Sequence, residues 1–410
     1  MAAITNKLVG SPAVAGLTNQ AVVSAGNFGL NLILARALSA TDFGAFTLLF
    51  SIFLFFNNIH QSLVTYPLSI RGATAQRMEF RAILGAALTA TMLSQSVFFP
   101  VVAVACALIG GWSLIGASGL ALFLWQLYEV NRRALLARGL YWSATLGDII
   151  RYAGVCAAVL VLAGAHRLML LNVFLVISAG SWLAAVASIL VAPSWLSPRW
   201  SALASELNAL WRVGFPYMGA TLLGAFSGQW FLWLLAWNST LADAAAFQAL
   251  TNIASVVFPI MFGIENIIVP EIARRRHSLG RGALFNLLYR RSRFGFAILV
   301  PLFIAGLAAP DSILRLLYGQ NSVYAQYGSD LRILLLAYAA LFVATILAAA
   351  LRAYLFLAPL LRMQLYTAVF SVIIGSWLTL SLGVGGACWA WLLANTLRVL
   401  IAGHYVRKLP

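Results

Sequence analysis

The chain has 410 residues, 62% of them hydrophobic and only 9% charged, with mean hydropathy +0.93 and a net charge of +16. Soluble globular domains carry about a quarter charged residues, so this composition excludes that class. It leaves little material for an extramembrane catalytic domain. The positive charge clusters at the ends of apolar stretches, where topology and anionic inner-leaflet lipid account for it, so no nucleic-acid partner is expected.

Twelve stretches long enough to cross a bilayer divide the sequence: roughly 14–35, 44–70, 82–110, 112–131, 141–164, 168–192, 213–237, 244–269, 294–309, 333–351, 363–383 and 385–406. The residues before the first carry one Lys and no compact apolar region ahead of a small-residue cleavage site. The first span, rather than a cleaved signal peptide, is therefore expected to direct insertion. Span one carries Asn19, Asn27 and Asn31, and span two Asn57, Asn58, His60 and Gln61. Span four ends on Glu129, Arg132 and Arg133, and span five holds Asp148 and Arg151. A linker at 193–212 follows, with Trp200, Leu203, Leu207, Leu210 and Trp211 near one helical face, as in a helix lying in the membrane interface. Residues 279–293 repeat that basic, amphipathic theme; in both places the alternative is a plain anchored connector. Beyond the linker, span seven carries Gln229, span eight Gln248, Asn252 and Glu265, and span twelve Arg398. Residues 310–332 form the one long gap on the outer side.

Basic residues fall in every second gap. Taking the N-terminus as cytoplasmic, twenty of the 26 lie on the inner side, Arg36, Arg167, Arg315 and Arg332 lie outside, and Arg151 and Arg398 lie within spans. The positive-inside rule then places both termini in the cytoplasm. Six spans on each side of the linker predict an all-α membrane protein of twelve transmembrane helices in two parallel six-helix bundles around a central cleft: an N-terminal half at 1–192, the linker at 193–212 and a C-terminal half at 213–410. An even number of spans per half makes the repeat parallel, with its axis along the membrane normal. Shifting 34–49 (LARALSATDFGAFTLL) by 201 positions lays it on 235–250 (LAWNSTLADAAAFQAL), bringing Asp42 onto Asp243 and Phe46 onto Phe247.

No catalytic constellation emerges from ten acids and four histidines, and there is no phosphate-binding P-loop, so an enzyme is not expected. Cys106, Cys156 and Cys388 all lie inside spans, with no CxxC or His/Cys cluster, which points to no disulfide, metal or other cofactor. Ionisable residues within spans carry the information, because they are costly there and face a cavity or a partner. Arg151 lies about ten residues into span five, ~15 Å deep at about 1.5 Å per residue. Asp148, three residues earlier on the same face, is expected to pair with it. The pair either bridges helices structurally or presents a cavity cation with a tuning carboxylate. Arg132 and Arg133 admit a snorkelling reading, Arg398 a cavity or a snorkelling one, and Glu265 a structural one. Asn27 and Asn31 share a face; with Asn58 and Gln229 they either line a polar cleft or hold helices together. His60 reads as a hydrogen-bonded packing residue.

Three stretches, LARALSATDFGAFTLL (34–49), GFPYMGATLL (214–223) and ILRLLYGQNSVY followed by LRILLLAY (313–324, 331–338), resemble the polysaccharide and O-antigen repeat-unit flippases of the multidrug/oligosaccharidyl-lipid/polysaccharide exporter superfamily. The matching positions are Arg36, Asp42, Phe43 and Gly44 after span one, Pro216 opening span seven, and Leu316, Leu317, Tyr318 and Gly319 before span ten. With the two-halved plan, the resemblance covers essentially the whole chain. It departs late in span seven, where Gln229 and Trp230 stand in place of an acidic–basic pair. The resemblance implies flipping of undecaprenyl-diphosphate-linked oligosaccharide from the inner to the outer leaflet of a bacterial inner membrane by alternating access. It also implies membrane lipids as surroundings, and a polysaccharide polymerase and glycosyltransferases as partners. On that reading Arg151, Asp148, Asn27, Asn31, Asn58, Gln229 and Arg398 contact the headgroup, and Trp125, Tyr128, Trp230 and Trp233 offer aromatic faces to sugars. A multidrug/cation antiporter of the same superfamily is the nearest rival, but it calls for acids in the cleft. A lipid II flippase calls for a longer chain with charge in span one. A membrane-embedded polysaccharide-assembly enzyme calls for a large outer loop.

Overall fold

The computed structural model describes residues 12–193, 198–200, 202–275 and 281–409. Lys7, Arg276, parts of the two amphipathic connectors (194–197, 201 and 276–280) and the side chains of Arg275 and Arg281 lie outside the described residues. The described residues form helices joined by short turns, with no strand. The first six spans are α1 (Pro12–Ala37); α2 (Ala40–His60), which runs through a π-helical turn (Gln61–Thr65) into α3 (Tyr66–Thr74); α4 (Arg77–Leu108); α5 (Leu114–Ala137); α6 (Tyr141–Gly164); and α7 (Leu170–Val191). They are followed by α8 (Leu203–Asn238), α9 (Leu241–Ala254), α10 (Val257–Arg275), α11 (Arg281–Ala308) and a short α12 (Pro310–Tyr318). The last are α13 (Gly328–Ala353) and α14 (Leu357–Phe370), which continues through a second π turn (Ser371–Gly375) into α15 (Ser376–Val406).

Among the described residues, eight helices are long and apolar enough to cross a membrane, or nine if the bent pair α9–α10 is one span. One of the eight, Ala358–Val406, has 49 residues. As a straight helix it would run about 74 Å, over twice the ~30 Å hydrocarbon thickness. It breaks instead at Gly383 (φ 57°, ψ −132°), a left-handed φ that glycine adopts without a Cβ penalty. A Cβ on Gly386 would overlap the Leu378 carbonyl, so the chain turns back there and crosses twice. Helices α1 and α5, of 26 and 24 residues, are long enough but less apolar, because they carry Asn19, Asn27 and Asn31 and Gln126, Glu129 and Asn131. With these two the crossings number twelve, as the sequence leads one to expect.

One expectation needs correction. Span eight is not one rod: α9 and α10 meet at a 50° bend. The helical part of the amphipathic linker is the first stretch of α8. Leu203, Leu207 and Leu210, spaced at one and two turns, pack into a core with Leu68, Phe80, Ile83, Leu84, Val130, Ala134 and Leu135. Trp200, ahead of the helix, and Trp211, at the edge of that stripe, stay exposed. The stripe is fastened by Glu206, which pairs with Arg71 at 2.8 Å.

The chain divides into two compact units, Met1–Leu38 with Leu49–Leu222, and Ser39–Leu48 with Leu223–Pro410. The second unit contains both copies of the repeated turn, and they share one local structure. Ser39 Oγ donates to the Asp42 carboxylate at 2.7 Å and accepts from the Asp42 N–H at 3.0 Å. Thr240 Oγ1 does the same with Asp243, at 2.8 and 3.1 Å. Each hydroxyl caps an N–H at a helix start and donates to the carboxylate three residues on, which accounts for the paired Ser or Thr and Asp at both places. Residues following span one and preceding span ten meet in the same unit. Gly44 lies so close to the Leu241 backbone that a Cβ would overlap its carbonyl. Phe43 meets Tyr324 edge to face at 6.3 Å, Tyr324 meets Tyr318 at 5.2 Å, and the Tyr318 hydroxyl donates to Ala249 O at 2.8 Å.

Candidate functional site

The first unit holds two adjacent polar assemblies on α5 and α6. Arg151, the eleventh residue of the 24-residue α6, is 5% exposed. Its Nε donates to Ser181 Oγ on α7 at 3.2 Å, and Nη1 donates to the Tyr152 hydroxyl at 3.2 Å. Its guanidinium carbon lies 4.8 Å from the Trp125 ring, 4.8 Å from that of Tyr152 and 5.8 Å from that of Tyr128. Stacking of this kind holds a cation without neutralising it. Among the described residues, Nη2 has no partner and no carboxylate lies within ion-pair distance of Arg151.

Asp148 therefore does not pair with Arg151 as its position one turn away predicts. It accepts from Arg132 Nε at 2.8 Å, from the Tyr128 hydroxyl at 2.8 Å and from Asn19 Nδ2. Arg132, 8% exposed, also contacts Glu129 at 3.2 Å and donates through Nη2 to Asn19 Oδ1 at 2.6 Å. Glu129 takes a second guanidinium, Arg133 Nε, at 2.7 Å. Two acids and two bases thus close a network joining α1, α5 and α6. Arg132 does not snorkel: a direct bond to a buried acid on the next helix outweighs the reach to water. Sequence reasoning passed over its role, although the i,i+3 and i,i+4 spacing of Glu129 to Arg132 and Arg133 was a usable signal.

In the second unit, Arg398 on α15 is 7% exposed. It donates through Nη1 to Asn395 Oδ1 at 3.1 Å and through Nη2 to Ser227 Oγ on α8 at 2.9 Å, with Trp391 at 5.7 Å from its guanidinium carbon. Its Nε is buried without a partner, and no carboxylate pairs with it among the described residues. Trp391, Asn395 and Arg398 share a face by their spacing, a pattern readable in the sequence; Ser181 and Ser227 carry no such signal.

The remaining candidates fall into two groups. Asn27 joins the Arg151 assembly, its Nδ2 donating to the Tyr152 hydroxyl at 3.3 Å. Asn31 and Asn58 bond their own helices, to Asn27 O at 2.9 Å and Leu54 O at 2.7 Å. Gln229 is half-buried, while its neighbour Trp230 donates to Ser376 Oγ at 2.8 Å. His60 is buried against Thr91 Oγ1 at 2.8 Å, a packing contact, and Glu265 pairs with Arg352 at 2.8 Å. Among the described residues no three His, Cys, Asp or Glu side chains form a metal-binding group.

The sequence matches no family model, and no curated protein matches it. Solved structures do resemble its fold. An inward-facing multidrug resistance MATE family transporter of the MOP superfamily aligns over 97% of both chains with TM-score 0.75 and 12% identity. The lipid II flippase MurJ, in an inward closed conformation, aligns over 97% of this chain and 88% of its own with TM-score 0.77 and 11% identity. The MATE multidrug transporter DinF-BH aligns over 98% and 95% with TM-score 0.66 and 16% identity. At such identities the likeness is one of fold: a multi-pass, all-helical architecture.

Proposed function

We propose that the protein flips a polyprenyl-diphosphate-linked oligosaccharide from the inner to the outer leaflet of a bacterial inner membrane, with both termini cytoplasmic. The reading is carried by Arg151. A cation near the middle of a membrane helix costs about 2.5–3.5 kcal/mol on insertion scales, a cost that a packed core of neutral residues would avoid. Here it is held by aromatic faces and neutral hydroxyls that stack on it and leave its charge intact. A diphosphate stripped of water needs such a partner, and a guanidinium meets it with a planar fork of donors. Arg398, similarly held and uncancelled, supplies a second cation in the other unit. Trp230 and Trp233 are aromatic faces suited to sugar rings, while Trp125 and Tyr128 are buried against Arg151 and serve to hold it. The polyprenyl tail stays in lipid, and the polymerase and glycosyltransferases of the same glycan are the expected partners.

The cation-antiporter reading fares worse, because the two buried carboxylates of the first unit, Asp148 and Glu129, are already matched by Arg132 and Arg133. The deciding experiment is deletion of the gene and complementation at matched protein levels. Deletion should accumulate lipid-linked glycan in the inner leaflet. Arg151→Ala should insert normally but lose surface polysaccharide, and Arg151→Lys should keep part of it, since charge survives without the fork. Normal export by Arg151→Ala would sink the reading.

A further inference from the structure

We propose that Arg132 is a positioning residue: it holds Asp148 away from Arg151 and so leaves the charge of that buried cation uncancelled for an anionic headgroup. The inference rests on the reading of Arg151 given above. Asp148 lies three residues before Arg151 on α6, a spacing at which an acid and a base on one helix ordinarily pair. In a poorly solvated site the tethered carboxylate would be the stronger competitor for the guanidinium, since it is always present at high effective concentration.

Three donors from two other helices prevent this. Arg132 Nε and Asn19 Nδ2 both reach Asp148 Oδ2, and the Tyr128 hydroxyl reaches Oδ1 at 2.8 Å. Arg132 is itself fixed from two sides, by Glu129 at 3.2 Å and by Asn19 Oδ1 at 2.6 Å. Glu129 in turn is shared with Arg133. The four charged groups cancel among themselves, and Arg151 remains the uncancelled one. Asp148 has every reason of sequence to neutralise Arg151, yet its carboxylate is turned to Arg132 on the neighbouring helix. The arrangement serves an anion site and serves nothing if Arg151 is only a structural bridge, for which direct pairing would be the simpler solution.

The test is a double-mutant cycle on the full chain in detergent, measuring equilibrium binding of farnesyl diphosphate. Arg132→Gln frees Asp148 to swing to Arg151 and should weaken binding by about tenfold or more. In an Asp148→Asn background the same substitution should weaken it by less than about threefold, because no carboxylate is left to release. Equal losses in both backgrounds, or no loss from Arg132→Gln, would overturn the proposal. Should Arg132→Gln not yield folded protein, Tyr128→Phe removes one donor from Asp148 more gently. It should weaken binding by about threefold, and that loss should vanish in the Asp148→Asn background; a loss that persists there, or none at all, overturns the proposal as well. Arg151→Ala separates the two levels of inference. If it binds like the unmodified protein, the anion-site reading falls and this proposal with it. If it loses binding while the cycle shows no coupling, the proposal alone falls.

Discussion

Replacing Arg132 or Arg398 by methionine makes the same chemical change at two buried arginines, and their surroundings predict opposite consequences for stability. Arg132 is buried and answers two buried acids, Asp148 at 2.8 Å and Glu129 at 3.2 Å. Its removal leaves Asp148 with only Tyr128 and Asn19, and Glu129 with only Arg133. Breaking a buried ion pair from one side costs about 3–5 kcal/mol, because the remaining charge is uncompensated. Arg398 answers no acid and carries a buried, unpartnered Nε. Methionine there gives up two hydrogen bonds to neutral groups, about 1.5–3 kcal/mol each, and a stacking contact of about 0.5–1. Against this it removes a membrane-embedded cation costing about 2.5–3.5 kcal/mol and an orphaned donor costing about 1–3. The two sides nearly cancel, so the change at Arg398 should fall within about 2 kcal/mol of zero, well short of that at Arg132. Thermal unfolding of the full chain in one detergent, followed by loss of the monodisperse peak, reads the comparison. Arg398→Met should unfold close to the unmodified protein and Arg132→Met far below it. Equal losses would refute the reasoning, since both changes would then reflect packing rather than charge balance.

Two further outcomes follow from packing and capping. Gly44→Ala forces a methyl into the Leu241 backbone carbonyl, which cannot swing aside as a side chain would. It should cost about 1–3 kcal/mol by overpacking. Gly154→Ala, with open space around its Cβ position on α6, should stabilise by a few tenths to about 1 kcal/mol, and the same thermal assay separates them. Thr240→Ala removes the cap on Asp243 N–H and should cost about 0.5–2 kcal/mol, with Thr240→Ser largely neutral. A loss equal for serine and alanine would show that the methyl, not the hydroxyl, matters there.

The amphipathic linker and the charged pair show where reading the sequence stops. Leu203, Leu207 and Leu210 announce an apolar stripe by their spacing, but a stripe does not say whether it covers lipid or protein. Packing against Phe80, Leu84 and Leu135 settles that, and leaves Trp200 and Trp211 outside. Likewise Asp148 and Arg151 share a helix face, and local spacing makes them partners. A helix face also meets its neighbours, and Arg132, sixteen residues earlier in sequence and 2.8 Å away in space, takes the carboxylate.

The sequence by itself determined the class of protein, the twelve crossings, the repeat that lays Asp42 on Asp243, and the presence of two arginines at depths where charge is costly. These follow from composition, apolar run length and short-range spacing, all of them properties of a chain in one dimension. Tertiary structure decided which charges cancel. Asn19 on α1, Tyr128, Glu129 and Arg132 on α5, and Asp148 on α6 become one neutral network only when three helices pack side by side. The same packing leaves Arg151 against Trp125, Tyr152 and Ser181 with its charge intact. Coulombic partnership falls off within a few ångströms of side-chain contact, so it is settled by helix neighbours rather than by position along the chain.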